Sequence, residues 1–229
     1  MNMIHNKMRK ILFKMNSDED YTQEIIQDNA GMLTLVDIRK WDVNVTRDRV
    51  ESIAEHIFGV QMLAIAMKSE YEYDIDLTKV IFMLAIHELG EIIIGDLTQF
   101  QITKDEKIKL EHKAVHDILD SLISGEEIEK LFLEFDEKKT PEAIFAYQCD
   151  KLECDLQCKL YDQENCVDFN KQENNNSFYH PDVQKYYKEG LSWSEMWLKF
   201  GQERYNYDKN FKAVSDYAYN NKLETDLIN

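Results

Sequence analysis

Apolar positions recur along this chain at three- and four-residue spacings, the rhythm of helices with one buried face. The strongest run lies between Arg47 and Glu70, where Val50, Ile53, Ala54, Ile57, Phe58, Val60, Leu63, Ala64 and Met67 share a side. A second helix is predicted from Leu77 to Ile94, apolar almost all round through Val80 to Ile86, as a helix buried in a core is. The short polar link between them favours antiparallel neighbours. Lys104 to Ile123 predicts a charged helix with Ile108, Leu110, Val115, Ile118 and Leu119 inward, followed by a short acidic one over Glu126 to Phe135. Thr140-Pro141-Glu142 supplies an N-cap, a proline at the first helical position and an acidic first turn. The helix it opens carries Ile144, Phe145, Tyr147, Leu152, Leu156 and Leu160 inward. Weaker patterns predict helices over residues 1–18 and 20–35. Residues 163–178 turn polar and read as a solvated loop, and residues 192–221 read as one long aromatic-rich helix.

Composition sharpens this to an all-α fold. Seven glycines and two prolines in 229 residues are too few for the many tight turns of a sandwich or barrel. The length suits one domain over residues 1–229, with its core at about 20–162. The 27 Lys and Arg against 44 Asp and Glu leave a net charge of -17, so a free polyanion is repelled and a nucleic-acid polymer is not the expected partner. Cys149, Cys154, Cys158 and Cys166 lack a paired C-x-x-C spacing, which fits packing roles in a reducing cytoplasm. No signal peptide or membrane span is expected.

The chemistry gathers in Ala85-Ile-His-Glu-Leu-Gly-Glu-Ile-Ile-Ile-Gly-Asp96, where one imidazole and three carboxylates interrupt an apolar stretch. Glu91 follows His87 by four residues and shares its face if the helix continues. His56 lies among apolar positions of the first strong helix, and Asp150 falls on the inward face of the helix after Thr140. Taken singly, such a histidine is a hydrogen-bonded core residue and Asp150-Lys151 a surface pair. Together, His56, His87, Glu88 and Asp150 form a list of two imidazoles and two carboxylates suited to one divalent ion, Mn, Co, Fe, Ni or Zn. His112 and His116 have a metal-like spacing too, but no carboxylate completes it.

Three blocks then carry a resemblance: Arg49-Val-Glu-Ser-Ile-Ala-Glu-His56, His87-Glu-Leu-Gly-Glu91 with Gly95-Asp96, and Asp150-Lys-Leu-Glu153. In order and spacing the chain resembles the HD-domain metal-dependent phosphohydrolases, and among them the 5'-deoxynucleotidase branch, over roughly Ile38 to Leu160. The resemblance implies a compact helical bundle whose metal is held by His56, His87, Glu88 and Asp150. It implies that Glu91 moves a proton, that Asp96 places the nucleotide sugar, and that Lys40 and Trp41, with Arg39 as a stand-in cation, contact phosphate and substrate. One departure stands out: Glu88 occupies the position where the family has Asp. Two readings follow. One is a phosphohydrolase acting on the 5'-phosphate of small (deoxy)nucleoside monophosphates. The other is a catalytically weakened protein that binds a metal and a nucleotide. A homodimer is expected from the family and from the aromatic terminal helix.

Overall fold

The computed structural model describes residues 51–173 and 175–223, and every regular element among them is a helix. The helices predicted over 1–18 and 20–35, and the segment Arg47 to Val50, lie outside the described residues.

Helix α1, Ile53–Glu70, starts at Ser52 rather than at Arg47, because Ser52 and Glu55 form a reciprocal capping box. Its buried side, Ile53, His56, Val60, Ala64 and Met67, steps by three and four residues. Asp76 caps α2, Leu77–Ile86, by accepting from the amides of Thr78 and Lys79. The predicted continuation to Ile94 does not occur. From His87 to Gly90 the backbone tightens into i to i+3 bonds, Leu89 N–H to Ile86 O and Glu91 N–H to Glu88 O, before the short α3, Glu91–Ile94. This turn lets Leu89 and Ile92 pack on Val115, Leu119 and Phe132 instead of running straight on. Gly95, at a φ of 75°, ends α3 in a conformation that side chains rarely adopt.

Helices α4, Lys104–Leu119, and α5, Gly125–Glu137, pack on each other. Leu110, expected inward, is exposed. Helix α6, Pro141–Gln163, begins at the Thr140 cap as predicted and contacts α1, α2 and α5. Its 23 residues make a rod of roughly 35 Å at the ordinary helical rise.

The segment read as a solvated loop is more ordered than its composition suggests. It holds a 3-10 turn at Phe169–Lys171 and α7, Asn176–Tyr179, and it buries Gln172 and Asn175, whose side chains bond one another. Helix α8, Pro181–Lys188, follows. The single terminal helix of the prediction is two, α9 at Trp193–Arg204 and α10 at Lys209–Asn220. Asn206 turns left-handed between them, and Asp208 caps α10 by accepting from Asn210 and Phe211. Both pack on α6. The amide of Asp208 donates to the buried Gln148 of α6, and Phe211 enters the main core.

That core also holds Val60, Met83, Leu84, Phe145 and Leu152. The Phe145 ring meets Tyr73 at 4.7 Å and Phe211 at 5.4 Å, edge to face. Truncating Phe145 to alanine is expected to destabilise the protein by about 3–5 kcal/mol. Chemical denaturation would measure this, and an unchanged midpoint would place the core elsewhere.

Candidate metal centre

Three helices and one turn bring four side chains to a point. His56 arrives from α1, His87 and Glu88 from the end of α2, and Asp150 from the middle of α6. One ligand-type atom from each lies within 4.8 Å of all the others, not far from twice a metal–ligand bond of roughly 2.1 Å. His56 Nε2 is 3.3 Å from Asp150 Oδ1 and 3.7 Å from Glu88 Oε1; His87 Nε2 is 3.4 Å from Glu88 Oε1. The longer carboxylate of Glu88 reaches this cluster from the tight turn, not from regular helix.

The far side of each ring is already engaged. His56 Nδ1 lies 2.6 Å from Glu153 Oε2, and His87 Nδ1 lies 2.8 Å from the Leu84 carbonyl oxygen. Both oxygens accept, so both Nδ1 atoms carry a proton and both Nε2 atoms turn a lone pair toward the cluster. His87 Nε2 and Asp150 Oδ1 are buried and make no hydrogen bond. Buried polar atoms of native proteins are rarely left so. A divalent cation fits this donor set, because one ion can accept the lone pairs that converge there from two imidazoles and two carboxylates.

Asp150 is the most buried charge of the group. Burial alone pushes a carboxyl group up, but the Lys151 ammonium beside it overrides this and holds Asp150 well below the usual carboxylate range. Lys151 Nζ sits 2.8 Å from Asp150 Oδ2, the oxygen turned away from the imidazoles. Burial would lower the Lys151 ammonium, yet Asp150 raises it well above its ordinary value.

The cluster opens on a cavity of about 490 Å³ lined by His87, Glu88 and Asp150 together with Glu91 and Asp96. Glu91 is only 2% exposed, with Lys107 Nζ 3.6 Å from its Oε1. Lys107 also pairs with Glu111 at 3.3 Å. Burial works against the Lys107 charge, but Glu111, Glu88 and Glu91 raise its pKa. Burial raises Glu111 in spite of Lys107. Lys138 and Lys151 line the wall around Tyr147, their Nζ atoms 4.9 and 5.7 Å from the ring centre.

The structure therefore gathers His56, His87, Glu88 and Asp150 at one point, with Glu91 and Asp96 on the same cavity. Arg39, Lys40 and Trp41 lie outside the described residues. His112 and His116 are bound instead to Asp136 at 2.8 Å and Glu129 at 3.1 Å. Sequence reasoning passes over Lys107 and Lys138, and it quotes Glu153 in the third block without giving it a role. Glu153 stands one helical turn beyond Asp150, a visible spacing, but its partner His56 is 97 residues away and no local pattern announces it.

Comparison with known proteins agrees with this architecture. The HD domain family matches residues 37–200. A 5'-deoxynucleotidase of Dictyostelium discoideum is 33% identical over 143 residues, covering 59% of this chain and 75% of that protein. One from Schizosaccharomyces pombe is 31% identical over 124 residues, covering 51% and 61%. Among solved structures, a predicted metal-dependent phosphohydrolase from Magnetospirillum magnetotacticum shares the fold with a TM-score of 0.57 at 19% identity, covering 82% of this chain and 87% of that one. The PH0347 protein of Pyrococcus horikoshii gives 0.56 at 22%, covering 82% and 94%. The chain belongs to the HD domain family.

An ion bound by the folded chain alone stabilises it by mass action, about 2.7 kcal/mol at one hundred times the dissociation constant. Thermal unfolding with and without added Mn²⁺ or Zn²⁺ is expected to show such an upward shift in the wild type and none in His87→Ala. An equal shift in both proteins would place the ion elsewhere.

Proposed function

We propose that the protein is a metal-dependent phosphohydrolase that cleaves the 5'-phosphate from deoxynucleoside monophosphates. The observation that carries this reading is the pair of buried atoms His87 Nε2 and Asp150 Oδ1, unsatisfied by hydrogen bonds and beside a cavity that also holds a buried carboxylate and several lysines. We assign His56, His87, Glu88 and Asp150 as ligands of a divalent ion, Mn, Co, Fe, Ni or Zn. Such an ion lowers the pKa of water and polarises a phosphoryl oxygen.

The remaining roles belong to the chain itself. Glu91 takes the proton of the attacking water and returns it to the sugar oxygen as the phosphorus–oxygen bond breaks, giving a nucleoside and inorganic phosphate. Its burial beside Lys107 supports this, since a charge-paired carboxylate away from bulk water keeps its proton exchange local. Lys151 and Lys138 offset the charge of the phosphate, joined by Arg39 or Lys40. Asp96 and Trp41 place the sugar and base. The cavity volume falls within the range of small-molecule sites, and the names of the relatives supply the substrate class. Four free thiols support a reducing, cytoplasmic setting.

The test is phosphate release from a panel of deoxy- and ribonucleoside 5'-monophosphates with each metal added in turn. Glu91→Gln is expected to lose about 10²- to 10⁴-fold in kcat with little change in metal binding. Folded, metal-loaded protein that releases phosphate from no member of the panel would sink the reading.

A further inference from the structure

We propose that Gly59 and Glu153 form a positioning pair that sets the metal affinity of this centre, Gly59 serving as the seat on α1 in which the Glu153 carboxylate lies. The inference rests on His56 being a metal ligand, as assigned above. Gly59 follows His56 by three residues and shares its side of α1, facing α6. A Cβ at Gly59 would stand 2.5 Å from Glu153 Oε1, closer than real Cβ contacts come, and a tight 3.2 Å from its Cδ. The flexible Glu153 carboxylate can make room only by shifting, and a shift disturbs its other oxygen, which holds His56 Nδ1 at 2.6 Å. A glycine inside an 18-residue helix weakens that helix relative to alanine, so its presence there asks for a reason. Leaving room for Glu153 is that reason.

Glu153 does not line the cavity and touches no reacting group; it acts through His56. A carboxylate accepting from Nδ1–H fixes the ring's tautomer and orientation and makes Nε2 a stronger donor, and loss of such a partner typically costs 10- to 100-fold in metal affinity.

The experiment is a Co²⁺ titration of the full chain in competition with a chromophoric chelator. It compares the wild type with Glu153→Gln, Glu153→Ala, Gly59→Ala, the double variant Gly59→Ala with Glu153→Ala, and His56→Ala. Glu153→Gln and Gly59→Ala are each expected to weaken Co²⁺ binding 10- to 100-fold. Adding Gly59→Ala to Glu153→Ala is expected to change nothing further, the non-additivity of two residues acting through one contact. A general loss of packing would instead weaken binding equally in both backgrounds, and that result would overturn the pairing. Should Gly59→Ala fail to fold, the near-isosteric Glu153→Gln still decides: wild-type affinity in that variant refutes the inference. His56→Ala separates the two levels. Undiminished Co²⁺ binding there removes the ligand assignment itself, whereas loss there with no effect of Glu153→Gln removes only the present inference.

Discussion

The rest of the molecule depends on one buried carboxylate. Asp150 sits at the middle of α6 with Lys151 on one oxygen and two imidazoles beside the other. Stripping water from an ionised carboxylate costs several kcal/mol unless partners replace it, so its partners must be held near contact distance. That requirement fixes how α1 and α2 lie on α6. His56 must stand opposite Asp150, and α2 must end where His87 and Glu88 can turn inward. The apolar packing of Val60, Met83, Leu84 and Leu152 holds the same three helices together, so the core and the polar cluster require one geometry.

The electrostatics of the cavity follow from the same centre. On a chain of net charge -17, three lysines on one concave surface are tied to acids: Lys107 to Glu91 and Glu111, Lys138 to Asp136, Lys151 to Asp150. Paired cations spare the folded chain the cost of isolated buried charge while keeping positive ends beside the opening. The carboxylates still outnumber them there, which leaves a local excess that suits a divalent cation.

Much of this was legible in the chain. Helical periodicity locates α1, α4, α5 and α6, because each buries one broad face, and Thr140-Pro141 marks the start of α6. The four clustered side chains were legible because His56 and Asp150 stood at inward positions that ordinary residues would fill with Leu or Val. What stayed hidden was tertiary. The break after Ile86 was invisible in a stretch apolar on all sides, where no periodicity marks a change of direction. The polar segment concealed Gln172 and Asn175, which are buried because they bond one another, the Asp168 carbonyl and the Phe178 amide. The division of α9 from α10 was written locally, in Asn206 and Asp208, a left-handed residue and a cap. The aromatic stripe running across both hid it. Lys107 and Lys138 belong to the cavity only because α4 and α5 fold over it.

Phe211 has a consequence for how the protein is made. The stretch that matches the family ends at residue 200, yet the main core is completed by a side chain beyond it, and the buried Gln148 takes its amide partner from Asp208. During synthesis the chain therefore cannot close its core as the family segment leaves the ribosome. Val60, Phe145 and Leu152 lack one of their core neighbours until α10, which carries Phe211, has been made. The boundary of recognisable sequence and the boundary of the cooperative folding unit are thus different places in this chain, and an excised family segment would lack part of its own interior.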